Sequence, residues 1–202
     1  MKKEDTAEEK IKAAAQKIFI QKGLAGARMQ EIADEAGINK AMLHYYFRSK
    51  DKLFREIFES SIKTLMGEVG LIIASERPLL EKIQKLIDTY IDLLLENPSL
   101  PIFILSEINQ NPDFMEKLIN NNIIHGLGTM LQQVEEEVKQ GQIYPIKPIQ
   151  LWINILSMIV FPFAARPMLQ RVIENSLDGN FEQLIRERKK EVYEFIVRAI
   201  KI

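Results

Sequence analysis

Apolar residues recur along this chain at spacings of three and four, and no convincing run alternates apolar with polar as a half-buried strand would. Thr6 and Glu9 have the spacing of a capping box. Beyond them Ile11, Ala14, Ala15, Ile18 and Phe19 form one stripe, which predicts a first helix stopping at Gly23. A second helix is predicted from about Met29 to Ala36, with Ile32, Ala33 and Ala36 inward and Gly37 ending it. Asn39 can cap a third that runs only to about Tyr46, and Ser49 a long fourth with Leu53, Phe54, Ile57, Phe58, Ile62, Leu65, Met66 and Val69 on its stripe. Pro78 suits the first turn of a fifth, which Asn97-Pro98 closes. A short apolar helix is predicted near 99–109. Pro112 opens another that reaches about Gln140 and bends at Gly126 and Gly128. After the loop GQIYPIKP come an apolar helix near 147–161, a proline-punctuated piece and a final helix capped by Asn180 and Gln183. The fold class predicted is all-α.

Composition narrows the class. The chain has 202 residues, 47% of them hydrophobic, which supports a sizeable core. It has no cysteine, so structural disulfides and cysteine-based metal sites are excluded and a reducing compartment fits. The start, MKKEDTAEEK, lacks a signal-peptide apolar run. The longest nearly apolar stretch, residues 151–165, is short for a bilayer span and holds Pro162. A cytoplasmic protein without a membrane partner is expected. Catalytic signals are lacking. The histidines are His44 and His125, and no HExxH, glycine-rich phosphate loop or GxSxG occurs, so no enzyme is expected and no cofactor is assigned. Glu135, Glu136 and Glu137 read as a solvated face, and His125 as an interior or interface histidine rather than a ligand.

Net charge is −1, but its distribution is uneven. Between Gly37 and Arg55, Lys40, Arg48, Lys50, Lys52 and Arg55 stand against Asp51 alone, a local +4. The second and third helices with Gly37 between them make a helix-turn-helix pattern. With Leu43, Ile32 and Ile38 inward, Lys40, Ala41, His44 and Tyr45 face outward or sideways. A helix so equipped fits the major groove of DNA, where tyrosine, histidine and lysine reach base edges and phosphates. Lys50 falls in the first turn of a helix, where the macrodipole disfavours a cation unless an anion occupies that end. The plain alternative is a three-helix subdomain with a solvated basic turn.

At these residues, IADEAGINKAMLHYYFRSKDKL, the chain resembles the tetracycline-repressor-like (TetR) family of bacterial transcription regulators. The family pattern is an Ile-Ala pair, then Ala-Gly-Val-Ser, a short helix ending Tyr-x-x-Phe, and Ser-Lys-x-x-Leu. The chain departs from it at Arg28 and Met42, each commonly threonine, and at His44, commonly tyrosine. The resemblance implies that Gln30, Lys40, Ala41, Met42 and Tyr46 lie near base edges, and Arg28, Asn39, His44, Tyr45 and Lys50 near the backbone or groove wall. It implies a DNA-binding domain over 1–55 and a helical ligand-binding and dimerisation domain over 56–202, joined through the long helix. It also implies a homodimer through the last two main helices. A ligand cavity follows from it, with Met66, Tyr90, Phe103, Ser106, Asn109, Asn122, His125, Trp152 and Met158 as candidate liners. Polar liners are few, so the effector expected is small and apolar or amphipathic. The function expected is a dimeric repressor on a palindromic double-stranded operator, released by that ligand. The alternative is an all-α carrier of an apolar ligand that does not bind DNA. The helix near 147–161 is apolar nearly all round and is expected to be buried on several sides.

Overall fold

The computed structural model describes residues 6–110, 121–176 and 179–202. Among them are ten α-helices, and β-pairing is limited to an isolated bridge between Ile143 and Lys201. The chain forms two compact units, one up to Lys63 and the other from Thr64.

The first unit holds α1 (Ala7–Gly26), α2 (Met29–Glu35), α3 (Lys40–Tyr46) and the start of α4 (Lys50–Ile73). Thr6 and Glu9 cap α1 reciprocally. The predicted stop at Gly23 is instead a break within the element: Gly23 has φ +67°, and a further turn follows to Gly26. The turn between α2 and α3 is a Schellman motif. Gly37 N–H donates to the Asp34 carbonyl at 3.1 Å and Ile38 N–H to that of Ala33 at 3.0 Å. This geometry puts Gly37 at φ +67°, where a Cβ would touch nothing, so the demand for glycine is conformational rather than steric. Asn39 Oδ1 accepts the Met42 N–H at 2.8 Å and starts α3. Ile11, Ala15, Phe19, Ile32, Ala33, Leu43, Leu53 and Phe58 are buried. Phe19 meets Phe54 edge-on at 4.9 Å, and Lys12 pairs with Glu56 at 2.7 Å, so α1 is fastened to α4 by both apolar and charged contacts.

The second unit holds the rest of α4, α5 (Leu79–Glu96), α6 (Leu100–Gln110), α7 (Asn121–Lys139), α8 (Pro148–Ala164), α9 (Arg166–Ser176) and α10 (Phe181–Ile200). The predicted helix opening at Pro112 lies outside the described residues. α7 runs as one helix through Gly126 and Gly128, without the predicted bend. Gly126 serves close approach instead. A Cβ there would lie 2.8 Å from Ile73 Cγ1 and 3.1 Å from the Ala74 nitrogen.

One expectation of burial needs correction. α8 buries Leu151, Ile155, Ile159 and Phe163, but Ile149, Ile153 and Phe161 are exposed. Along α10, Phe181, Ile185, Val192, Ile196 and Ile200 are buried, while Leu184 and Phe195 are not. Each helix has one apolar face for its own chain and a second left over. Pro162 sits inside α8 and has no N–H to offer the carbonyl of Met158, four residues earlier. Arg188 of α10 supplies the missing donor, Nη2 to that oxygen at 2.7 Å. The two helices are thus tied where the proline opens the ladder.

Lys82 of α5 is a buried cation, 1% exposed. Its Nζ donates to Gln133 Oε1 on α7 at 2.7 Å, and Gln133 Nε2 donates to the Arg77 carbonyl at 3.1 Å. Burial pushes the Lys82 ammonium below its ordinary pKa, and Glu137 opposes that shift. Lys82→Ala is expected to cost about 2–4 kcal/mol in urea unfolding, because it empties the space of the stem and orphans the Gln133 oxygen. Lys82→Met keeps the stem and is expected to cost less.

Candidate nucleic-acid interface and apolar cavity

α3 is seven residues long and buries one of them, Leu43. Successive residues turn by about 100°, so positions 41 and 45 lie some 200° from Leu43, farthest from the core. Tyr45 is accordingly 83% exposed. Met42 and His44 flank that line, with Lys40 and Tyr46 beside them, and all four are exposed. Tyr45 and Tyr46 meet edge-on at 5.4 Å, which fixes one ring against the other. The sequence-predicted set on α3 is therefore brought onto one outward surface. Ala41 at its centre carries no bulk, and Met42 beside it is apolar. Both suit contact with a thymine methyl, while Lys40, His44 and the tyrosine hydroxyls supply polar contacts.

The remaining members are placed differently. Asn39 commits its side-chain oxygen to the α3 cap. Arg28 is the N-cap of α2, exposed and without a side-chain capping bond, so it presents its guanidinium to solvent. A hydrogen bond from Lys22 to Glu31 at 2.9 Å, with the nearby Arg28 adding to it, holds the Glu31 carboxyl below its usual range. Gln30 is exposed, its Nε2 donating to Asp34 Oδ1 at 2.8 Å. Lys50 is half-buried and its Nζ donates to the Ala27 carbonyl at 3.0 Å. It thereby braces the residue before Arg28. This positioning contact joins residues 23 apart and was not visible in the sequence.

The second unit contains an apolar cavity of about 420 Å³. Its wall includes Leu65 of α4, Tyr90 and Leu94 of α5, Ile104 of α6, and Leu156 and Val160 of α8. Of the predicted liners, Tyr90 is on this wall. Met158 lines an adjoining cavity of about 510 Å³, being some 200° around α8 from Leu156. Met66 lies one position past Leu65, about 100° away, and Phe103 is turned into the core. Trp152 and Ser106 are half-buried and are not on the wall. Asn109 is exposed and donates to the Leu105 carbonyl at 2.8 Å. His125 is exposed on α7, which sets aside the interior half of the expectation and leaves the interface half. The Asn122 side chain lies outside the described residues. Most of the liners that sequence reading missed are aliphatic and differ in chemistry from no other core residue; Ser157 and Phe161 were missed with them.

Among the described residues no group of histidine and carboxylate side chains could hold a metal ion. No single described helix is long and apolar enough to cross a membrane, and the α8–α9 pair, which would qualify together, bends by 70°.

Residues 11–57 match the model of bacterial regulatory proteins, tetR family. The chain is 24% identical over 162 residues to the nucleoid occlusion factor SlmA of Vibrio campbellii, covering 78% of this chain and 82% of that protein. It is 26% identical over 149 residues to the HTH-type transcriptional repressor NicS of Pseudomonas putida, covering 72% and 62%. Its fold is that of the ketosteroid transcriptional regulator KstR2 of Mycobacterium tuberculosis, with a TM-score of 0.70 at 15% identity over 99% and 97% of the two chains. With its helix-turn-helix inside the segment that matches the tetR-family model, the chain is a DNA-binding transcription regulator.

Proposed function

We propose that the protein is a homodimeric repressor that holds a palindromic operator through two copies of α3 and is released by a small apolar effector. The observation that carries the DNA-reading role is the outward surface of α3, where Lys40, Ala41, Met42, His44, Tyr45 and Tyr46 gather while Leu43 anchors the helix. It also argues against a ligand carrier without DNA binding, which has no use for exposed tyrosines beside a local +4 charge. A DNA partner is in keeping with a site of action in the cytoplasm. The dimer reading rests on the leftover apolar faces of α8 and α10. The division of labour proposed is DNA reading by residues 1–55 and effector binding and pairing by 56–202. α4 contributes to both, with Leu53 and Phe58 in the core of the first unit and Leu65 on the cavity wall of the second.

If effector and operator are coupled, each must weaken the other by one and the same factor. A thermal-shift screen of neutral apolar compounds, followed by operator titration with and without each hit, measures that factor. The reading expects a lowering of operator affinity by about 5- to 150-fold, with DNA lowering effector affinity equally. Hits that stabilise the protein and leave operator affinity unchanged would reject an effector role for the cavity.

A further inference from the structure

The effector cavity, taken as proposed above, has a chemistry that narrows its occupant. Among the described residues its wall carries no charged side chain. It carries two hydroxyls. Ser157 spends its proton on the Ile153 carbonyl at 2.7 Å. Tyr90 is 8% exposed, lines the cavity, and has no hydrogen-bond partner among the described residues. A phenol so placed is a donor without an acceptor, in surroundings where an unmade hydrogen bond is costly. We propose that the cavity takes a neutral, largely apolar molecule bearing one hydrogen-bond acceptor, a carbonyl or ether oxygen, which accepts from Tyr90 Oη.

An anionic head group does not fit. A carboxylate on this wall would be desolvated with no cation to meet it. Among the described residues, Arg188 is a cation on a neighbouring wall, in the adjoining cavity that shares Ser157 and Phe161. Arg188 is committed to the Met158 carbonyl that Pro162 leaves without a donor. Its Nε is buried, out of reach of a ligand in the first cavity. Burial also keeps the Tyr90 hydroxyl protonated, with its pKa pushed up to about 12, so it remains a donor across the physiological range.

Three probes of one shape test this: 2-acetylnaphthalene, 2-ethylnaphthalene and 2-naphthoate, titrated calorimetrically into wild type, Tyr90→Phe and Arg188→Gln. The acetyl compound is expected to bind wild type best, and Tyr90→Phe to weaken it about 3- to 10-fold while leaving the ethyl compound unchanged. Naphthoate is expected to bind at least about tenfold more weakly than the acetyl compound in wild type, and Arg188→Gln to leave the acetyl affinity unaltered. Equal losses for acetyl and ethyl compounds would reduce Tyr90 to packing and overturn the inference. Tightest binding of naphthoate, lost in Arg188→Gln, would overturn it in favour of an anionic ligand. Binding of none of the three would remove the cavity as a site and the inference with it. Binding as expected without any effect on operator affinity would leave the inference standing and sink the effector role.

Discussion

Ala41→Glu is expected to abolish operator binding, lowering affinity about 100-fold or more, while the protein stays folded. Position 41 lies at the centre of the α3 surface, about 200° from Leu43, so a carboxylate there faces whatever α3 meets. Against a phosphate-lined groove it adds repulsion in each protomer and removes the small contact that lets the helix seat. The site is exposed, so stability is expected to change by no more than about 0.5 kcal/mol. Anisotropy titration and urea unfolding of the same preparation separate the two effects. Retained affinity would mean that α3 is not the reading element.

The second large effect is expected at the leftover faces of α8 and α10. Phe161 is 57% exposed and Phe195 63%, and Ile153 adds 46% one turn from Ser157 on the α8 side. Glutamate at both phenylalanines would place two charges per protomer into an apolar interface without partners. Phe161→Glu with Phe195→Glu is expected to halve the mass in sedimentation. Two half-sites then no longer hold one particle, and operator affinity should fall by about 10²- to 10⁴-fold through lost avidity. Since both side chains are largely exposed, the monomer should keep its helical content. An unchanged mass would move the dimer elsewhere or remove it.

What the sequence disclosed was local. The caps at Thr6, Asn39 and Asn180, the positive φ of Gly37 and the inward Leu43 each depend on residues within a few positions, and each stands in the structure as expected. Gly23 was legible as a break but not as one that the helix survives. Features joining distant residues were not legible. Lys50 bracing Ala27 spans 23 positions, and Arg188 completing the carbonyl opened by Pro162 spans 30 from Met158. Periodicity showed that α8 is apolar on most sides but could not say which side meets its own chain. The cavity was the least legible part. Its liners were sought among large and polar residues, whereas its wall is mostly aliphatic and is chosen by rotation about each helix. Tyr90 was found because it is both aromatic and on the right face.

The central claim is that α3 reads DNA in two symmetric copies. Selection of duplexes from a random pool by the wild-type protein, followed by anisotropy titration of the enriched and a scrambled duplex at one physiological salt concentration, tests it directly. The account predicts an inverted repeat with half-site centres roughly 34 Å apart, bound about 10³-fold or more tighter than the scrambled duplex. Recovery of no symmetric sequence, or equal affinity for both duplexes, would contradict it.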